Sequence, residues 1–414
     1  MRTNLACLAV LLLTLAPATV SEATPPVRTP RAANRVTPAL AHFQSALLTE
    51  GRDLREHGVY IESLNTSEPL AAINADVPMN PASVIKLATS LAALEALGVD
   101  LRFRTEFLCR GEIDKRTGVL QGDLVLSSGA DPSFSIPDAR SIGDALRNLG
   151  VRRVTGNLVI AGTFNCNYNT QTDVSAAVFR RQSRLAINGS TLFEPLSPES
   201  KRGELLLTLE SEPLLKIIYY QNAHSVNAMA ELLSERVGGP EGVRRFVVER
   251  LGLDPESVFI SRGSGLDFNR LSARGTVALL RSLVGWLEAR GLTADSVMPI
   301  AGVDASTLSD RFSDERFEGS IVGKTGTLHE SDGGVAALAG IAYTRKSGPV
   351  LFAVFDMAEG RRVEHLRQLQ DAFLKATVDE LGGPRSLSFR EDRRQIPAPA
   401  GRLIIAPQPT RAAG

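Results

Sequence analysis

At 414 residues and 43% hydrophobic, the chain is long enough to bury one large core or two smaller ones. Lysine plus arginine and aspartate plus glutamate stand at 46 each, so the net charge is zero, and no long basic or acidic run stands out. This balance argues against a nucleic-acid partner held by phosphate contacts and points to a small or neutral ligand.

The N-terminus reads as a secretory signal over residues 1–23. Arg2 is followed by an apolar stretch from Leu5 to Leu15 and then by small residues and prolines such as Ala16, Pro17, Ala18, Ser21 and Ala23. The apolar run is shorter than the roughly 20 residues needed to span a bilayer, so a cleaved signal is preferred to an N-terminal anchor. Export to the periplasm or cell envelope is the expectation. Cys7 would leave with the signal, so Cys109 and Cys166 remain; they either close a disulfide or stay as two buried thiols. His42, His57, His224, His329 and His365 show no metal-ligand spacing, so neither a metal nor a cofactor is expected. A G-x-S-x-G elbow is absent, which weighs against an α/β-hydrolase.

A Pro/Arg/Ala-rich lead, 24–37, is expected to be disordered. Residues 38–54 then read as an amphipathic helix and 58–64 (GVYIESL) as a strand. From Ser83 to Leu97, SVIKLATSLAALEAL is made of helix formers with no Gly or Pro until Gly98. Residues 101–204 are short β-rich segments between glycine turns and read as an inserted β-rich domain. Helices are expected at 211–220, 224–237, 240–251 and 272–290. Strands follow at 320–328, 334–344 and 349–357, then a helix at 362–381. Beyond Phe389, residues 389–414 return to a Pro/Arg/Ala-rich, disordered composition. The fold class is therefore α/β (α+β): one domain, residues 38–100 and 205–388, with an antiparallel sheet flanked by helices and interrupted by the insert.

Three motifs occur in a fixed order: Ser83-Val84-Ile85-Lys86, Ser225-Val226-Asn227, and Lys324-Thr325-Gly326-Thr327. On a helix, positions i and i+3 share a face, so Lys86 can reach the Ser83 hydroxyl. Serine is a weak nucleophile unless a base takes its proton, and lysine can do so only when neutral. Burial, or a second cation such as Lys324 in the same cleft, would favour the neutral amine. A helix start also favours a developing oxyanion. A blander reading makes Ser83 an ordinary helix cap and Lys86 a surface residue. Against it, the S-x-x-K occurs once, the K-T-G occurs once, and the K-T-G opens a strand followed by a hairpin.

This ordered set, together with AAINADVPMNPASVIKLATSLAALEALG, GDLVLSSGADPSF (122–134), SRGSGLDFNRLSARGTVALL (261–280) and SIVGKTGTL (320–328), resembles the D-alanyl-D-alanine carboxypeptidase/endopeptidase family, the low-molecular-mass class C penicillin-binding proteins. The resemblance runs from about residue 40 to 382. It implies a penicillin-binding, β-lactamase-like transpeptidase domain that acts on peptidoglycan peptides and is acylated by β-lactam antibiotics, with peripheral membrane or cell-wall association compatible with it. Ser83 would be the nucleophile and Lys86 its base; Ser225 would relay a proton to the leaving amine; Asn227 would hold Lys86 and the substrate amide. Lys324, Thr325 and Thr327, with Gly326 between them, would bind the terminal carboxylate, and the Ser83 and Thr327 N–H groups would form the oxyanion hole. Two departures stand out. Val226 replaces the usual polar middle residue, and the insert is shorter than in the fullest members. The rival readings are a β-lactamase-like hydrolase, which lacks here the glutamate of an E-x-x-L-N-like loop, and a non-catalytic peptidoglycan-binding protein.

Overall fold

The computed structural model describes residues 37–357 and 363–407; the signal and nearly all of the lead lie outside them. Helix α1 (Pro38–Thr49) begins at Thr37, whose Oγ1 accepts the Leu40 N–H, and buries Leu40, Phe43 and Leu47 on one face. It stops short of residue 54 because Gly51 takes φ +69° and turns the chain into β1. Strands β1 (His57–Ser63) and β2 (Pro69–Ile73) lead to a one-turn 3-10 helix, Ala82–Ile85, and then α2 (Lys86–Leu97), closed by Gly98.

Next come β3 (Arg104–Asp114), β4 (Val119–Ser128), α3 (Ile136–Asn148), β5 (Arg153–Val154), β6 (Leu158–Ala161), α4 (Thr172–Gln182), β7 (Ala186–Ile187), β8 (Thr191–Glu194) and β9 (Glu204–Glu210). The stretch expected to be simply β-rich thus carries two helices. β4 and β6 pair in parallel, as do β6 and β8, and parallel neighbours need a crossover, which α3 and α4 provide. A capping box between Ser135 and Asp138 starts α3. Phe107, Leu124, Leu126, Ile142 and Phe179 fill the core between sheet and helices. Cys109 and Cys166 are free thiols buried in that core, so of the two alternatives the disulfide is not formed. Burial pushes the Cys166 thiol up to about 12.

The chain returns through α5 (Leu214–His224), α6 (Asn227–Glu235), α7 (Gly239–Leu251), the small ribbon β10 (Phe259–Ile260) and β11 (Asn269–Arg270), and α8 (Ala273–Glu288). Strands β12 (Ile321–Leu328), β13 (Val335–Tyr343) and β14 (Pro349–Met357) precede α9 (Val363–Glu380). The first sheet runs β12-β13-β14-β1-β2, antiparallel throughout. Its near-continuous apolar strands reflect cover on both faces. In β14, Val350, Phe352 and Val354 pack with α1 and α9, whereas Leu351, Ala353 and Phe355 pack with α2 and α8. Each such large side chain contributes about 1.5–3 kcal/mol by burial.

The segment expected to be disordered from 389 is ordered as far as residue 407: it forms a helical turn, Glu391–Arg394, and β15 (Arg402–Ile405), which pairs with β9. Its composition hides long-range partners that no local pattern encodes.

Candidate active site

Ser83 lies in the 3-10 turn, so α2 begins three residues later than the periodicity suggests. The cause is Ala82, which takes φ +47° and lets the Val84 N–H reach Pro81 O at 3.1 Å. A left-handed alanine costs about 1–2 kcal/mol. Asn80 holds it there: its Oδ1 accepts the Ala82 N–H at 3.0 Å and its Nδ2 donates to Asp267 O and Asp332 Oδ2. Gly265 backs the turn so closely that a Cβ there would lie 2.0 Å from Ala82 O.

Lys86 is wholly buried, and its Nζ lies 2.9 Å from Ser83 Oγ, 2.7 Å from Asn227 Oδ1 and 2.6 Å from Ser264 O. Two of these partners can only accept, while the hydroxyl can also donate. The set matches a neutral amine that gives two N–H bonds and turns its lone pair to Ser83. Burial pushes the Lys86 amine down to about 7, with the Glu231 carboxylate acting in the opposite sense.

Ser225 sits at the end of α5 in the left-handed region, φ +54°, between α5 and Asn227, the first residue of α6. This bend aims Ser225 Oγ at Lys324 Nζ, 2.9 Å away. Lys324 is also wholly buried and donates to Thr325 O at 2.7 Å; burial first, and the Lys86 charge second, hold it well below an ordinary amine. Val226 is half-buried.

Strand β12 is an edge strand, and its Thr325 and Thr327 line one wall of a cleft of about 480 Å³, with Lys324 buried behind them. Ser83, Ser225 and Asn227 line the cleft with Thr325 and Thr327. Gly326 is required by close approach: a Cβ there would sit 2.7 Å from Pro81 O and 3.0 Å from the Ala82 Cβ. All eight residues singled out in the sequence therefore meet around one cavity or directly behind it. Four others were not foreseen as parts of it. Ser264 supplies a carbonyl to Lys86, and Glu231 Oε1 in turn accepts from Ser264 N and Oγ. Thr307 Oγ1 accepts from Thr325 Oγ1 at 2.7 Å, and Arg367 Nη2 donates to Thr327 Oγ1 at 2.5 Å. Ser264 lies within the SRGSGLDF stretch; Glu231, Thr307 and Arg367 carry no motif. Among the described residues, no group of three or more His, Cys, Asp or Glu is placed to hold a metal ion.

Residues 41–175 and 170–377 match the D-Ala-D-Ala carboxypeptidase 3 (S13) family, and the chain belongs to that family. It is 34% identical over 140 residues to the D-alanyl-D-alanine carboxypeptidase of Actinomadura sp., a match covering 31% of this chain. It is 26% identical over 359 residues to carboxypeptidase DacB of Mycolicibacterium smegmatis, covering 72% of this chain. These matches span 26% of the first relative and 76% of the second. The penicillin G-acylated Bd3459 predatory endopeptidase of Bdellovibrio bacteriovorus has the same fold, with TM-score 0.69, 19% identity, and cover of 84% of this chain and 99% of that one.

Proposed function

We propose that the chain is a serine-type D-Ala-D-Ala carboxypeptidase/endopeptidase that acts on peptidoglycan stem peptides through an acyl-enzyme on Ser83. The observation that carries this reading is the buried Lys86 amine, 2.9 Å from Ser83 Oγ and otherwise surrounded by acceptors. Ser83 Oγ attacks the carbonyl carbon of the penultimate D-Ala while its proton passes to Lys86 Nζ. The tetrahedral oxyanion forms against the N–H groups of Ser83 and Thr327. The C–N bond then breaks, Ser225 Oγ relays a proton to the leaving amine, and D-Ala departs. Water attacks the ester and frees Ser83. Asn227 keeps Lys86 aligned and takes the substrate amide.

The terminal carboxylate sits against Lys324, Thr325 and Thr327, where one lysine and two hydroxyls select a chain end. Membership of the S13 family supports the substrate class, and the acylated Bdellovibrio enzyme supports β-lactams as ligands. Work outside the cytoplasm, in the periplasm or envelope, follows from the signal-like N-terminus and the peptidoglycan substrate. No helix among the described residues is long and apolar enough to cross a membrane.

Intact mass after incubation with benzylpenicillin tests the reading. A persistent adduct on the wild type, absent from Ser83→Ala, is the expected result. Rapid drug turnover would favour a β-lactamase, and no adduct would leave a non-catalytic peptidoglycan-binding protein. Products from purified cell-wall fragments separate trimming of terminal D-Ala from cutting of cross-links.

A further inference from the structure

Residues 390–405 form a strap behind the cleft, anchored by Arg393 and ending in β15. Arg393 Nε donates to Asp304 Oδ1 and Nη2 to Asp304 Oδ2, both at 2.9 Å. The same guanidinium reaches Asp295 Oδ2 at 2.9 Å and the Tyr219 hydroxyl at 3.2 Å. Asp304 is wholly buried; its remaining partners are the Tyr219 hydroxyl and the Ile300 N–H, each at 2.7 Å. Among the described residues, Arg393 is the cation paired with this carboxylate.

Asp304 belongs to loop 299–309, which reaches the cleft three residues later. Thr307 donates its N–H to Ala223 O at 3.0 Å and shares the 2.7 Å hydroxyl contact with Thr325. The loop thus ties β12 to the end of α5, where Ser225 stands. Further along the strap, the Ile396 backbone hydrogen-bonds the His224 imidazole, one residue before Ser225. The strap contacts the loop and the end of α5, whereas Ser83 lies in the 3-10 turn and Lys86 opens α2, both flanked by Val84, Ile85 and Leu87 of the main core.

We infer that Arg393 is a positioning residue for the carboxylate subsite: it neutralises buried Asp304 and so fixes loop 299–309 and the Thr307–Thr325 hydroxyl pair. The inference rests on the reading of Lys324 and Thr325 as the carboxylate subsite. A buried carboxylate stripped of its cation is strongly disfavoured, so without the guanidinium the loop relaxes to bring Asp304 to water and carries Thr307 with it. Among the described residues, the side chains of Ser83 and Lys86 bond to each other, to Asn227 and to Ser264, and not to this loop. Loss of Arg393 therefore weakens binding and leaves the chemical step.

The test uses the full chain and benzylpenicillin, resolving acylation into a binding constant K and a chemical rate k2, with hydrogen exchange read at 299–309. Arg393→Gln is expected to raise K about tenfold, change k2 less than about threefold, and speed exchange in the loop, with Arg393→Lys recovering part of the loss. Should Arg393→Gln fail to fold, the double variant Arg393→Gln/Asp304→Asn removes the charge together with its counterion. It is expected still to raise K by about threefold or more, because the ties to Asp295 and Tyr219 are gone. A folded variant with K within about twofold of wild type, or with the loss in k2 instead of K, overturns the inference. If the wild type takes up no penicillin, the catalytic reading falls, and exchange at 299–309 then decides the strap's hold on the loop by itself.

Discussion

Lys86 and Lys324 are both wholly buried, and the charge on Lys86 adds to burial in holding the Lys324 amine well below its ordinary range. With Lys86 itself down at about 7, acylation requires its neutral form. Acylation by benzylpenicillin should therefore rise about tenfold per pH unit below 7 and level off above it. A profile flat between pH 5 and 8 would remove Lys86 as the base.

Glu231 raises the Lys86 value and, through Ser264, anchors one of its acceptors. In Glu231→Gln the charge is gone, so the rising limb should move to lower pH, by about half a unit or more. The same pH series on this variant checks it; a limb moved to higher pH would contradict the assignment.

Stability carries its own signature of Lys86. Its folded pKa, about 7, lies below the unfolded lysine value, so between these two the unfolded chain binds more protons. This group destabilises the fold most below pH 7, and the penalty fades as pH rises towards the unfolded value of about 10.4. Lys86→Met should remove this contribution, so wild type gains on the variant between pH 7.5 and 9.5 in urea titrations. Parallel curves would show that the amine is not desolvated in solution.

A Cβ at position 326 cannot fit between Pro81 O and Ala82 without moving β12 from the Ser83 turn. Gly326→Ala should cost about a hundredfold in acylation while the melting temperature changes modestly, since displacements near 1 Å carry penalties of that order.

The His57–Asp356 pair lies two strands in from Thr327, through Ala336 of β13. Both are wholly buried, Nδ1 to Oδ1 is 2.6 Å, and Gln370 Nε2 binds the other carboxylate oxygen at 2.7 Å. Asp356→Ala breaks a buried, hydrogen-bonded pair and should cost about 3–5 kcal/mol in denaturant unfolding. A loss near zero would mean that β1 and β14 do not need it.

Local chemistry made part of this legible from sequence. Ser83 and Lys86 are three residues apart, Lys324 to Thr327 are consecutive, and the near-continuous apolar runs of β13 and β14 mark a covered sheet. What sequence reasoning missed depends on distant partners. Asp304 explains Arg393 only once the chain has brought residues 89 positions apart into contact. Thr307 and Arg367 matter through Thr325 and Thr327, which no spacing reveals. Helix α3 was legible too, from its Ser135-x-x-Asp138 capping box and from Ala139, Ile142 and Leu146 on one face; α4 was less so, with only Ala176 and Phe179 as buried apolar positions. The 3-10 turn at Ser83 came from the backbone of Ala82, which the good helix formers after it concealed.

The outer edge of β12 is taken in its first half: Ala301 donates to Ile321 O, Ile300 bridges Val322, and the Gly323 N–H goes to Pro299 O. Beyond Gly323, from Lys324 to Thr327, no described residue continues that pairing. An extended peptide laid along the open half would match any sequence, since main-chain donors and acceptors are the same for every residue. It could not run on past Lys324, because the seat there is already filled. On the proposed reading, the occupied half would act as an end stop, and the strand would measure where a chain finishes before any side chain of that chain is read.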